Sequence, residues 1–126
     1  MIKFIKTENA PAAVGPYSQG VMGGNVLFIS GQLPADPKGG EPIAGDIKKA
    51  ARQSLENMKA IVEEAGGSIH NICKVNVFVR DISKFSDVNE VYADFFGDHK
   101  PARSLVEVSG MPKNAEIEIE AIAVIG

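Results

Sequence analysis

Between Asp46 and Gly67 the apolar residues Ile47, Ala50, Ala51, Leu55, Met58, Ile61, Val62 and Ala65 recur at helical spacing. That stripe constrains the chain more than any other feature, because a helix with one apolar side has to bury it against a second layer. Asp46 offers the cap at its start and Gly66-Gly67 the stop at its end. The second layer is a sheet. Cys73, Val75, Val77 and Val79 alternate with Lys74, Asn76 and Arg80, which predicts a strand whose apolar face begins at Cys73, with Phe78 leaving the other face only partly polar.

The remaining elements follow from turn residues. Asn9 to Tyr17 and Pro34 to Gly45 are loops, the second carrying three prolines and three glycines. Ser18 to Ser30 predicts a hairpin turning at Gly23-Gly24-Asn25, with Val26 to Ile29 as the return strand and Ser30-Gly31 closing it. Ser86 is the expected cap of a second helix with the stripe Val88, Val91, Tyr92, Phe95 and Phe96, ending at Gly97 before Pro101. Arg103 to Ser109 and Glu116 to Ile125 read as two strands pairing antiparallel around the loop Gly110 to Ala115. The order strand, hairpin, helix, strand, helix, hairpin predicts an α+β fold, a mixed sheet with two helices on one face. Val26, Phe28, Phe78, Ile122 and Val124 make the other face too apolar for full solvation, so a homo-oligomer is expected.

With 126 residues the chain suits one domain, 1–126. Its net charge of -3 and pI near 5.4 give no positive field for phosphates, so nucleic acid is a poor partner. Cys73 is the single cysteine, which allows no intrachain disulfide and no zinc cluster. No apolar run reaches the ~18 residues of a membrane span, and the charged start Met1 to Lys6 lacks the core of a signal peptide. A cytoplasmic protein without a membrane partner is expected.

Phosphate loops, metal signatures and nucleophile elbows are all absent, so any chemistry rests on individual residues. His70 and His99 sit in polar junctions and offer neither metal spacing nor a catalytic pair. Cys73 has the ordinary role of a small hydrophobe. Arg103 could fork onto a carboxylate, although an ion pair with Asp or Glu at the rim is the commoner use of such an arginine. Glu118 and Glu120 share one face of the last strand, where a solvated polar face is the plain interpretation. Tyr17, Ser18 and Ser30 are ordinary turn residues by composition.

Taken together, four segments change this weighting. Asn9 to Gly20, Ser30-Gly31-Gln32-Leu33-Pro34, Pro101-Ala102-Arg103-Ser104-Leu105-Val106-Glu107-Val108 and Ile117 to Ala123 closely resemble the Rid/YjgF family, in its order and nearly end to end. The Pro-Ala-Arg-Ser form resembles its reactive-intermediate deaminase branch. That resemblance implies a chorismate-mutase-like fold, a homotrimer whose sheets form a central barrel, and clefts between subunits. It implies hydrolysis of 2-imino and enamine acids, such as 2-aminoacrylate and 2-aminocrotonate, to 2-keto acids and ammonia without metal or cofactor. Carried over by motif, Arg103 clamps the substrate carboxylate and Glu118 holds or activates the water. Tyr17, Ser30, the Gly31 backbone and Asn89 line the cleft. Leu105 stands where the family commonly has cysteine, so no thiol acts there and only a backbone contact survives. Two alternatives stay open: a non-enzymatic regulator binding small carboxylates, and a translation-inhibiting ribonuclease, which the acidic pI disfavours.

Overall fold

The first helix, α1 (Ile47–Glu64), forms where the stripe requires it. The Asp46 carboxylate accepts the Lys49 backbone N–H at 3.1 Å, and Gly66 takes a left-handed φ of 97° that turns the chain out of the helix. Ala50, Ala51, Leu55, Met58, Ile61 and Val62 are fully buried against the sheet and the second helix. The computed structural model describes residues 1–126. Its sheet comprises β1 (Ile2–Ile5), β2 (Gly20–Gly23), β3 (Val26–Gln32), β4 (Ile72–Val79), β5 (Ala102–Glu107) and β6 (Ile117–Val124), in the spatial order β1-β2-β3-β6-β4-β5. The second helix, α2 (Phe85–Phe96), packs beside α1, so the fold is α+β with a mixed sheet. Neither helix is long and apolar enough to cross a membrane.

Four details depart from the sequence reading. The last two strands do not form a hairpin: β5 runs parallel to β4, and β4 separates it from β6. The cause is α2, which carries the chain back along the sheet so that β5 starts at the same end as β4. Cys73 is exposed, not the first residue of the inner face. The register between β4 and β6 slips between Ile72 and Lys74, so Ile72 turns inward and Cys73 is extruded at the bulge. Ser86 caps nothing. Asp81 accepts from the Ser83 N–H and hydroxyl and opens a 3₁₀ turn, Ile82–Lys84, that runs straight into α2. Finally, β3 does not close at Ser30-Gly31 but continues to Gln32 through an irregularity after Ile29.

Pairing fixes which face each side chain serves. Val75 and Val77 of β4 are buried under the helices, and they stand beside Arg103 and Leu105 of β5. Arg103 and Leu105 therefore look toward the helix layer. Phe78 stands beside Glu118, so Glu118 and Glu120 occupy the opposite face. That face is half apolar: Phe28 is 52% exposed, Val106 45% and Val124 44%, a patch larger than scattered surface residues would leave.

Candidate functional site

Two groups of residues carry the candidate chemistry. The first lies on the outer face around β3 and β6. Its loop, residues 7–19, is held by one buried side chain, Gln19, whose amide donates to the Thr7 and Pro11 carbonyls at 3.0 and 2.8 Å while its oxygen accepts the Thr7 N–H at 2.7 Å. A buried amide with its partners satisfied makes a rigid support. It fixes Tyr17, which is 55% exposed over the cleft. The Ser30 hydroxyl donates to the Ser18 carbonyl at 2.5 Å, so its lone pairs are what it can offer a ligand.

Glu118 lies directly on the backbone of Gly31. A Cβ at position 31 would stand 2.6 Å from the Glu118 carboxyl carbon and 2.7 Å from Oε2. Glycine is therefore needed there for space. Burial pushes the Glu118 carboxyl above the ordinary carboxylate range, and the Glu120 charge adds to the shift. Glu120 is treated differently, since the Asn76 amide donates to it at 3.0 Å. Tyr17, Ser30, Gly31, Glu118 and Glu120 together border a cleft of ≈ 640 Å³ with Pro112-Lys113 on its rim. Lys113 and Asn114 both take left-handed backbone angles, φ 57° and 58°, and the Arg80 guanidinium donates to the Asn114 carbonyl at 3.1 Å. Glu120, Gln19 and Lys113 were not singled out as site residues from sequence. Glu120 gave a signal by sharing the face of Glu118, and Gln19 by lying in the segment Asn9 to Gly20, whereas Lys113 gave none.

Gly31→Ala tests this packing. The methyl group should drive the Glu118 carboxylate off its seat and lower turnover at least tenfold, a misplacement effect, with the melting temperature nearly unchanged. Steady-state rates and thermal unfolding check it.

The second group lies at the β5 edge under α2. Arg103 donates from Nη1 to Asn89 Oδ1 at 2.7 Å, and its Cζ lies 4.7 Å from the Tyr92 ring centroid and 5.9 Å from that of Phe85. The ordinary role of a rim arginine fails here, because no Asp or Glu oxygen of the chain comes within 4.0 Å. The ion pairs are Lys48–Glu90, Arg52–Glu56 and Arg52–Asp94. Arg103 is thus a partly buried cation without a counterion. Tyr92 stays a neutral phenol, since burial pushes it up to about 12 against the opposing pull of Arg103. Leu105 packs its side chain on the core, leaving its backbone for any ligand.

Within one chain the two groups do not meet. They lie on opposite faces, and β6 and β4 stand between β3 and β5. His70 and His99, in contrast, do come together at 5.6 Å between ring centroids, although no such pair was expected. One nitrogen of His99 is already engaged with the Ile72 carbonyl at 2.7 Å, a structural tether.

A family model described as Endoribonuclease L-PSP, the Rid/YjgF family, matches residues 7–125. This chain belongs to the Rid/YjgF family. A RutC family protein of Pyrococcus horikoshii is 57% identical over 98% of both chains. The 2-iminobutanoate/2-iminopropanoate deaminase of Escherichia coli is 55% identical over 98% of both. Among solved structures, E. coli TdcF with bound serine superposes with a TM-score of 0.93 at 50% identity, covering 98% of this chain and 99% of that one. Rid/YjgF membership thus extends over both residue groups, which lie inside the matched span.

Proposed function

We propose that this chain hydrolyses 2-imino acids, the tautomers of 2-aminoacrylate and 2-aminocrotonate, to 2-keto acids and ammonia, in clefts shared by the subunits of a homotrimer with a chorismate-mutase-like barrel. The observation that carries the reading is Arg103, a partly buried guanidinium that has no carboxylate in its own chain and needs one from outside. That the E. coli relative is named an iminobutanoate and iminopropanoate deaminase supports an imino acid as the source of that carboxylate.

In this scheme Arg103 binds the carboxylate and turns C2 toward water. The Glu118 carboxylate takes one proton from that water as its oxygen bonds to C2 and passes it to the imine nitrogen, giving a neutral carbinolamine. Glu118 then moves the carbinolamine hydroxyl proton to the same nitrogen as the C=O bond forms and the C–N bond breaks, so both water protons leave with ammonia and a 2-keto acid remains. A carboxyl raised by burial suits both halves, since it is a stronger base when ionised and gives the proton back when neutral. Tyr17, Ser30, the Gly31 backbone and Asn89 shape the cleft, and the scheme uses no metal or cofactor.

The separation of the two groups supports shared clefts, because the sheet stands between Arg103 and the Glu118 of its own chain and a neighbouring subunit could bring the two together. The apolar outer face supplies the reason to associate. Val124→Glu should accordingly place an unpaired charge in the barrel, shift the mass in solution from three chains toward one, and make activity fall on dilution.

A second reading, a non-enzymatic binder of small carboxylates, is favoured by the serine held by the TdcF relative. Ammonia release from freshly generated 2-iminopropanoate, against buffer alone, separates the two. Release proportional to protein concentration is expected. A rate equal to buffer would leave only the binder.

A further inference from the structure

We propose that Tyr92 is a positioning residue whose ring fixes the plane of the Arg103 guanidinium. This rests on the clamp reading for its functional meaning, but not for its geometry. Arg103 leaves an edge strand on a long, flexible stem, and within the chain it makes a single side-chain hydrogen bond, to Asn89. One bond uses one of the fork's five donors and pins a point, about which a planar group can still swing. A second contact is needed to hold the plane, and the Tyr92 ring supplies it at 4.7 Å.

The shelf is built into α2. Phe85, Asn89 and Tyr92 are four and then three residues apart, so all three project from one side of the helix toward β5. Tyr92 is itself braced by Phe96, with ring centroids 4.8 Å apart. Its hydroxyl is buried and has no hydrogen-bond partner, so the hydroxyl is not what holds the side chain in place. Because the phenol stays neutral, it is also no competitor for the substrate carboxylate. The ring is then the functional part of Tyr92.

Tyr92→Phe and Tyr92→Leu, each in wild-type and Arg103→Ala backgrounds, test this on the assembled protein with pyruvate as the probe. Arg103 is one of three arginines, so its Nε–Hε signal is assigned by its loss in Arg103→Ala, and ¹⁵N relaxation then reads its rigidity. Tyr92→Phe should keep that rigidity and bind pyruvate within about twofold of wild type. Tyr92→Leu should loosen the Nε–Hε group and weaken pyruvate roughly three- to thirty-fold, the range expected for a lost cation–π contact. In the Arg103→Ala background Tyr92→Leu should cost nothing more.

Three results would overturn the proposal: an Arg103 signal as rigid in Tyr92→Leu as in wild type, the same loss of binding in the Arg103→Ala background, or a loss in Tyr92→Phe equal to that in Tyr92→Leu. If instead Arg103→Ala leaves pyruvate binding intact while Tyr92→Leu still frees the guanidinium, the clamp reading falls and the positioning role stands. Should Tyr92→Leu fail to fold, Tyr92→Met removes the ring at closer volume and is read the same way.

Discussion

Glu118→Gln should lower kcat by roughly 10²- to 10⁴-fold, the usual contribution of a positioned general base. The amide keeps the shape that fits over Gly31 but can neither take the proton from water nor return it to nitrogen. The wild-type pH profile should lose activity on acidification earlier than an ordinary carboxylate would allow, because burial holds the Glu118 pKa up and the base must be ionised to act. That acid limb should be absent from whatever activity the glutamine variant retains. Stability moves the other way. A carboxyl whose folded pKa is raised favours folding below the unfolded value, and that contribution is lost as pH rises through the raised value. The glutamine variant should therefore melt no lower than wild type at neutral pH. Rates across pH, with thermal unfolding at each pH, check both halves.

Arg103→Lys should lower kcat/KM roughly ten- to a hundredfold, the scale of a charged, forked hydrogen bond, with the fold intact. Lysine retains a positive charge but not the planar fork, and it gives up the stacking on Tyr92. Part of the loss should appear in KM, since the proposed clamp binds the carboxylate in the ground state as well as in the transition state. Wild-type kinetics in a folded Arg103→Lys protein would remove the clamp from the mechanism.

What could be read from the sequence was whatever depends on local periodicity. The stripe from Ile47 to Val62 defines α1 because helical spacing and the Asp46 cap agree over many residues. Partner choice is a different matter. Residues 103–107 carry the same pattern whether they pair antiparallel with β6 or parallel with β4, and only the path of α2 decides. The bulge that exposes Cys73 is likewise invisible, since the alternation of Val75, Val77 and Val79 extrapolates smoothly back through it. Of the candidate site residues, Arg103, Glu118, Tyr17, Ser30 and Gly31 could be singled out because they sit in short motifs, whereas Asn89 lies outside those segments and came only with the family resemblance. The reasons for them could not. That Gly31 makes room for the Glu118 carboxylate, and that Arg103 lacks a counterion while resting on Tyr92, depend on contacts across 87 and 11 positions of chain, the differences 118 − 31 and 103 − 92.

Mixing the two inactive parents Arg103→Ala and Glu118→Gln tests the shared cleft most directly. If, as proposed, each cleft draws Arg103 from one chain and Glu118 from its neighbour, about one cleft in four should have both intact after mild dissociation and reassembly at equal amounts. Ammonia release from 2-iminopropanoate should then recover to about a quarter of wild type. Mixed trimers confirmed by mass that release no more ammonia than either parent would contradict a site built from two subunits.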